Sequence, residues 1–535
     1  MTEGFHYRTY AYARSADQDR ARPAHHPVVV AGGGLVGLTM AVDLVQRGVK
    51  VVVLDDGDQV SVGSRSICVA QRTLEIFNRL GVGARCRAKG VTWNTGKVFR
   101  GDRLLYAFDL QPEGGQRNPA FVNLQQYYVE IYLIERLAEL DPAALRWRNR
   151  VEGVIAREDH VEIGIVTPEG GYRVTCDWLI AADGVRSTVR GALGLPFPGE
   201  AFDDRFLITD IVMKSAFPPE RWFWFDPPFH AGRSALLHKQ PDDVWRIDLQ
   251  LGPEARREEE LREDRIVARL RAMLGPEVAF SIAWSSLYTF QCRRLKHFRH
   301  GRVIFVGDAA HTVSPFGARG GNGGVQDADN LGWKLAAVLA GEAPEALLGS
   351  YDIERGQAAD ENILNSKRAT DFIAPKMPAM ALFREAVLDL ATEHAFARAF
   401  VNSGRLSVAA AYTDSPLSTA DTEPWNAGPA PGAPAPDSPV TIDGRQGWLH
   451  DLMHDGTTIL CGSRAQSCDG HLSVRVVREG DDVEDATGLV ARRYGLDSTV
   501  AYLVRPDGHV AARFRDPTHG AVTAALARLH GRAAA

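Results

Sequence analysis

Three short runs of glycine, aspartate and proline are spaced as groups that grip a nucleotide would be. The first is Gly32-x-Gly34-x-x-Gly37, with Leu35 and Val36 between its last two glycines. Glycines at this spacing allow a tight turn, let backbone approach a pyrophosphate and let a helix pack closely on a strand. Asp55 follows at the end of the next apolar run, where a carboxylate can accept hydrogen bonds from a ribose. The second run is Leu179-Ile180-Ala181-Ala182-Asp183-Gly184-Val185-Arg186-Ser187. Taken alone, it reads equally as an ordinary turn with Asp183 capping a helix. The third is the longest: Gly307-Asp308-Ala309-Ala310-His311-Thr312-Val313-Ser314-Pro315-Phe316-Gly317, then Gly320-Gly321-Asn322-Gly323-Gly324. Glycines this dense let a flat ring lie against backbone, and N–H groups at a following helix start can face its anionic edge.

These groups need elements to hold them. Val28-Val29-Val30 predicts a buried strand entering the first turn, and Leu35, Leu38, Ala41, Val42 and Val45 recur at helical spacing. Gly48 is placed to end that helix, and Val51-Val52-Val53-Leu54 predicts a parallel strand covered on both faces. Arg302 to Val306 predicts another buried strand, which carries Asp308 just past its end, and Asp327 to Ala340 a helix beyond the glycine loop. Phe202 to Gly252 predicts an antiparallel sheet with an aromatic face, Glu254 to Met273 an amphipathic helix, and the stretch to about Ala410 further helix. Pro424 to Pro439 is rich in Pro, Ala and Gly and predicts a linker. Beyond it, Val500 to Val504 and His509 to Phe514 predict a hairpin about Arg505-Pro506-Asp507-Gly508, with a closing helix over His519 to Leu529.

The 535 residues suffice for about three domains, and the formal charge of -6 argues against a nucleic-acid partner. No apolar run has the length of a membrane span, and the polar start through Pro27 lacks the apolar core of a signal peptide. Cys68, Cys86, Cys176, Cys292, Cys461 and Cys468 form no C-x-x-C pair and no zinc-spaced set, so no metal is expected, and reduced thiols in a cytoplasmic protein are.

In this order and separation the three runs closely resemble the single-component FAD-dependent aromatic hydroxylases, the group of p-hydroxybenzoate, phenol, hydroxyphenylpropionate and polyketide hydroxylases. The resemblance covers roughly Pro27 to Ala410. It implies an α/β protein with a Rossmann-type FAD-binding domain (27–195 and 285–370) behind an N-terminal arm (1–26). It further implies an inserted antiparallel-sheet substrate domain (196–284), a helical connection (371–423), the linker (424–439) and a thioredoxin-like C-terminal domain (440–535). Cys461-Gly462-Ser463-Arg464 lacks the second cysteine of a redox pair, so the tail is expected to be structural, with homodimer contacts as its expected use. By the family pattern, Gly32, Gly34, Leu35, Val36, Gly37 and Asp55 would hold the nucleotide end of FAD, and Asp308 its ribityl chain. Pro315, Gly320, Gly321 and Asn322 would flank the isoalloxazine, and Asp183 would serve both FAD and NAD(P)H. Arg65 would lie near the flavin, Gln126 would contact FAD, and Arg72 belongs to the family's R-T-L-E run.

The activity so implied is hydroxylation of a phenolic ring by NADH or NADPH and O2, through a flavin C4a-hydroperoxide kept from water. Trp222, Trp224, Phe225 and Pro315 are candidates to line the substrate pocket, although one of each alternating pair on the strand could instead be core. His238 and Tyr288 are candidates to handle the phenol proton, with His230 behind them; the acid that phenol 2-monooxygenase uses is replaced by Ile67. Three other readings stay open: a Baeyer–Villiger or epoxidising relative, a non-catalytic flavin-binding protein, and a halogenase suggested by Trp222-Phe223-Trp224-Phe225-Asp226-Pro227.

Overall fold

The computed structural model describes residues 7–401, 406–453, 456–462, 473–477 and 483–532. Residues 1–6 of the arm, Ser463 and Arg464 of the C-terminal motif, and Cys468 lie outside them.

The core of the first sheet is four parallel strands: Val303–Phe305, Gly170–Ala181, Ala24–Ala31 and Val51–Leu54. Val28, Val29 and Val30 pair with Trp178, Leu179 and Ile180 on one side and with Val51, Val52 and Val53 on the other, and all are buried. Burial on both faces explains why these strands are apolar throughout rather than alternating. The helix Leu35–Gln46 leaves the first strand through the glycine turn, and Gly48, at φ +80°, follows its end.

The second sheet has eight strands, ordered His311–Thr312, Ser281–Arg294, Gly199–Val212, Val244–Gln250, Ser234–Lys239, Arg221–Phe225, Thr95–Arg100 and Arg103–Asp109. Its last two strands come from residues 95–109, far upstream of the 196–284 segment expected to form it, and Thr95–Arg100 joins parallel to Arg221–Phe225. Direct cross-strand partners share a face. One face carries Arg221, Phe223 and Phe225, with His238, Arg246, Asp248, Asp210, Phe206 and Tyr288. The other carries Trp224, Leu237, Ile247 and Leu249, which pack with Ile266 and Leu270 of the helix Glu263–Leu274. A three-stranded sheet, Cys68–Ala70, Phe121–Asn123 and Val91–Trp93, completes the middle of the molecule.

One helical expectation shifts. The glycine run 320–324 is not a loop but the first turn of the helix Gly320–Leu339. A Cβ at Gly324 would lie 2.5 Å from Val36 Cγ2, and one at Gly321 2.7 Å from Ser66 Oγ, so glycine there serves close packing. The helical stretch after Asp327 continues through Gly349–Ile373, Pro378–Ala391 and Ala395–Val401.

The C-terminal unit is a seven-stranded mixed sheet with the expected hairpin, Val500–Val504 and Val510–Arg515, and the closing helix His519–Leu529. The segment expected as a linker is tied down: Ala433 O accepts from Val510 N at 2.9 Å, and Ala435 N donates to Gly508 O at 2.9 Å. The hairpin turn docks on the long helices. Arg505, Asp507, Glu354 and Lys334, all fully buried, form one ionic cluster with the Arg505–Glu354 pair at its centre. Arg72 adds a hydrogen bond to the carbonyl of Asp507.

Candidate active site

The first glycine turn is shaped for a close-fitting ligand. A Cβ at Gly32 (φ +105°) would lie 2.5 Å from Ala182 O, and one at Gly37 only 1.9 Å from Gly32 O. At Gly34 the nearest atom would be Glu130 Oε1 at 3.9 Å, so the turn opens outward there, and Leu35 and Val36 border the opening half-buried. Asp55 braces the turn: Oδ2 accepts from Gly33 N at 2.6 Å and Oδ1 from Gly57 N at 2.8 Å. Burial raises its pKa against those two bonds. Asp183 accepts from Val189 N at 3.0 Å through Oδ2, while its Oδ1 is buried without a hydrogen-bond partner among the described residues. It thus braces the first turn of the helix Thr188–Ala192, which Ser187 caps through its bond from Arg190 N, and keeps capacity for a ligand.

Gln126 and Glu130 act on the loop that carries Arg65. Gln126 Oε1 accepts from Ser66 N at 3.2 Å, and its Nε2 donates to Ser61 Oγ and Glu130 Oε1 at 3.1 and 2.8 Å. Glu130 also accepts from the Ser61 N–H and hydroxyl, each at 2.7 Å. Arg65 itself sits at φ +51° with its side chain exposed. Its carbonyl accepts from Arg246 Nη1 at 2.6 Å, which ties this loop to the second sheet.

Asp308, Arg65 and Tyr288 lie close enough to act on one another, and the exposed space they share is taken as the groove. Protein crowds Asp308 closely enough for burial to raise its pKa, yet its surface is solvent-accessible, so it looks into an internal opening. Arg65 lowers the Asp308 pKa from across that opening. Tyr288 is 49% exposed, and its phenol is pushed up by burial and then by the charge of Asp308. Pro315 is exposed at the groove, while Phe316 beside it is buried against Phe206 and Phe290, ring centroids 5.2 and 5.3 Å away. Gly320 has room: a Cβ there would find only Val313 Cγ2, at 3.7 Å. His311 belongs to the scaffold, its Nε2 2.7 Å from Asp327 Oδ2, and Asp327 also accepts from Gly307 N and Arg355 Nε.

Several expected site residues sit elsewhere. Asn322 is buried, and its side chain is used up locally: it accepts from Ala70 N and Thr73 Oγ1 and donates to Cys68 O and Ala318 O. It ties the strand Cys68–Ala70 to the Gly320–Leu339 helix rather than facing a ring. Trp222 and Trp224 point away from the groove, because they alternate with the inward residues; Trp224 packs over the helix Glu263–Leu274, and Trp222 meets Phe99 at a tilt and Phe217 edge to face. Phe225 lies on the inward face against Phe223 and Phe372. His238 is inward but poor as a base: burial, then the flanking Arg221 and Arg246, hold its pKa well below the usual histidine value. His230 Nε2 donates to Gln250 O, 2.6 Å away, off the groove.

Reasoning from sequence passed over Arg221, Arg246 and Asp248. Charged residues at alternate places in otherwise apolar strands, Arg221 before Trp222-Phe223-Trp224-Phe225 and Arg246-x-Asp248 within Val244–Gln250, were the available signal.

Two family models match: one described as "FAD binding domain" over residues 25–366, the other as "Aromatic-ring hydroxylase, C-terminal" over 428–533. The chain is 31% identical to 6-methylpretetramide 4-monooxygenase of Streptomyces rimosus, with 94% of this chain and 93% of that protein covered. It is 30% identical to 3-(3-hydroxy-phenyl)propionate/3-hydroxycinnamic acid hydroxylase of Escherichia coli O81, covering 67% of this chain and 64% of that one. Among solved structures, the anhydrotetracycline hydroxylase OxyS of Streptomyces rimosus superposes with a TM-score of 0.73 at 27% identity, over 95% of this chain and all of that one. The open turn at Gly34, the unpartnered Asp183 oxygen and the uncovered Gly320 fit FAD laid between the first turn and the Asp308 segment. The chain belongs to the FAD-dependent aromatic-ring hydroxylases.

Proposed function

We propose that this chain is an NAD(P)H-dependent monooxygenase that hydroxylates a phenolic ring held between the inward face of the second sheet and the Pro315–Gly320 segment. The observation that carries this reading is that Asp308, Arg65 and Tyr288 lie close enough to act on one another, with the Tyr288 ring 5.6 Å from Phe290 of the buried Phe206, Phe290 and Phe316 cluster. FAD, when bound, supplies hydride acceptance and oxygen activation. Backbone N–H groups at Gly34 to Val36, at the start of the helix Leu35–Gln46, would hold the pyrophosphate, and Asp308 would hold the ribityl hydroxyls. The start of the helix Gly320–Leu339 would supply a positive end to steady a reduced, anionic ring. Phe206, Phe290 and Phe316 keep water from the reacting centre.

Tyr288 stays protonated at neutral pH, since burial and Asp308 both raise its pKa. It therefore donates to and positions the phenol oxygen of the substrate rather than removing the proton.

We read the C-terminal unit as thioredoxin-like but structural, supported by the single cysteine of its described motif and by the ionic cluster that docks it. The domains expected from the sequence stand as our division of the chain, with 95–109 added to the substrate sheet. Five buried free thiols among the described residues favour a reducing, cytoplasmic setting. No helix among the described residues is long and apolar enough to cross a membrane. Exposed Leu382, Phe383, Phe396 and Phe400 favour a homodimer. A phenol panel tests the function: at least one member should stimulate NAD(P)H consumption coupled to hydroxylated product. Consumption that no phenol stimulates, or that yields only peroxide, overturns the reading.

A further inference from the structure

Residues 7–22 lie upstream of the matched FAD-binding segment, which begins at residue 25, yet they reach the loop that carries Arg65. Three contacts join the two. Tyr10 N donates to Asp58 O at 2.7 Å, Thr9 pairs antiparallel with Gln59, and Tyr7 Oη accepts from Gly63 N at 2.8 Å. The arm is itself fastened beside the first sheet. Tyr10 stacks on Trp147 with ring centroids 4.6 Å apart, and buried Asp17 lies 2.8 Å from both Arg146 Nη1 and His26 Nε2. The Tyr7 ring meets Tyr127 edge to face, 5.5 Å between centroids, on the helix Gln126–Leu140 that also supplies Gln126 and Glu130.

The bond at Gly63 is hard to replace. Gly63 is buried, so its N–H has little water to turn to, and a buried N–H left unpaired is costly. The backbone here is also seated on the second sheet: at φ +79°, a Cβ would lie 2.4 Å from the Trp284 ring. Two residues on stands Arg65, whose φ of +51° persists in a non-glycine residue only where the surroundings hold it. Its charge reaches Asp308. Ser66 follows, and its Oγ would meet a Cβ at Gly321 at 2.7 Å. One loop thus borders both the Asp308 segment and the first turn of the helix Gly320–Leu339. We propose that Tyr7 is a positioning residue: its hydroxyl holds Gly63, and the loop so held keeps Arg65 and Ser66 in place beside the flavin seat. This rests on the hydroxylase reading above and deepens it, adding a point of control from outside the matched segment.

Tyr7→Phe removes the acceptor and keeps the ring on Tyr127. Tyr12→Phe is its control, on the same arm but bonded to Gln18 and Thr167. Both should melt within about 4 °C of wild type. In the FAD-loaded full chain, amide exchange over residues 57–66 should quicken about tenfold in Tyr7→Phe, the effect of one lost hydrogen bond, and stay unchanged in Tyr12→Phe. Release of flavin on dilution, read by its fluorescence, should quicken in Tyr7→Phe alone. With a stimulating phenol, the peroxide formed per NAD(P)H should rise while KM for that phenol changes little. Unchanged exchange over 57–66, faster exchange spread over the whole chain, equal effects in Tyr12→Phe, flavin release or peroxide yield like wild type, or a Tyr7→Phe chain that fails to fold each overturns the proposal. If no phenol stimulates NAD(P)H consumption, the hydroxylase reading fails, while exchange and flavin release still decide the part played by Tyr7.

Discussion

Arg505 and Glu354 meet in two hydrogen bonds, Nη1 to Oε1 at 2.6 Å and Nη2 to Oε2 at 2.9 Å, and neither side chain reaches solvent. Glu354 lies on the helix Gly349–Ile373 and Arg505 on the C-terminal hairpin, so one pair spans the two family segments. Asn330 and Lys334, on the helix whose first turn holds Gly320, bond the same Glu354 oxygen at 2.7 and 2.6 Å. The docking of the tail is thereby linked to the seat of the flavin ring.

Breaking that pair should be severe. Arg505→Met leaves Glu354 with less of its counter-charge, and loss of one partner of a buried ion pair costs about 3–5 kcal/mol. Denaturant melts should show this loss, and the purified variant should retain less FAD. A midpoint within error of wild type would contradict the role given to the pair.

The same cluster predicts acid sensitivity. Burial pushes Glu354 up, but Arg505 and Lys334 outweigh it and hold its carboxyl well below the usual range; Asp507 is likewise held low, chiefly by Arg505. A carboxylate depressed in the folded state contributes stability that is complete above its unfolded value, about 4, and that drains away as pH falls through the folded value. Thermal melts from pH 7 to pH 3 should therefore show a steep loss below about pH 4, shallower in Glu354→Gln, which begins from lower stability.

Asp308→Ala should fold and lose most of its FAD, since a hydrogen bond to a charged group contributes about 1.5–3 kcal/mol. The ratio of flavin to protein absorbance after desalting measures it. Fully yellow protein with normal turnover would remove Asp308 from the site.

The glycine turn gives a matched pair. Gly37→Ala places a Cβ 1.9 Å from Gly32 O and should yield little folded protein, whereas Gly34→Ala, with its nearest atom at 3.9 Å, should fold and bind FAD more weakly. Circular dichroism with flavin titration separates the two effects; equal folding of both variants would contradict the packing described.

Tyr288→Phe should keep its stability, because the side chain is half exposed, and should lower kcat/KM about tenfold, the worth of one lost hydrogen bond of about 1.4 kcal/mol. Peroxide yield per NAD(P)H should rise as the phenol is held less firmly. Trp224→Ala should do the reverse, costing about 3–5 kcal/mol of stability with little change in substrate KM.

The parallel sheet and the nucleotide turn were readable because local rules agreed there: Val28-Val29-Val30 and Val51-Val52-Val53-Leu54 are apolar on both faces, and Gly32 and Gly37 admit little else. What sequence left open depends on partners far along the chain. Alternation showed that 222 and 224 face opposite to 221, 223 and 225, but only the packing of Trp224 on Ile266 and Leu270, and of Phe206 on Phe316, tells which side meets the groove. Thr95–Asp109 joined the second sheet unannounced because its parallel partner lies more than a hundred residues away. Asn322 looked like a ring contact from its motif; its four bonds, two of them to backbone near residue 70, could not be foreseen from spacing.

The five-residue strand Arg221–Phe225 divides its side chains by parity, with 221, 223 and 225 on one face and the tryptophans on the other. The same arrangement makes the strand intolerant of length change: inserting or deleting one residue would swap the two sets, driving tryptophan into the pocket and arginine into the oily layer beneath the helix.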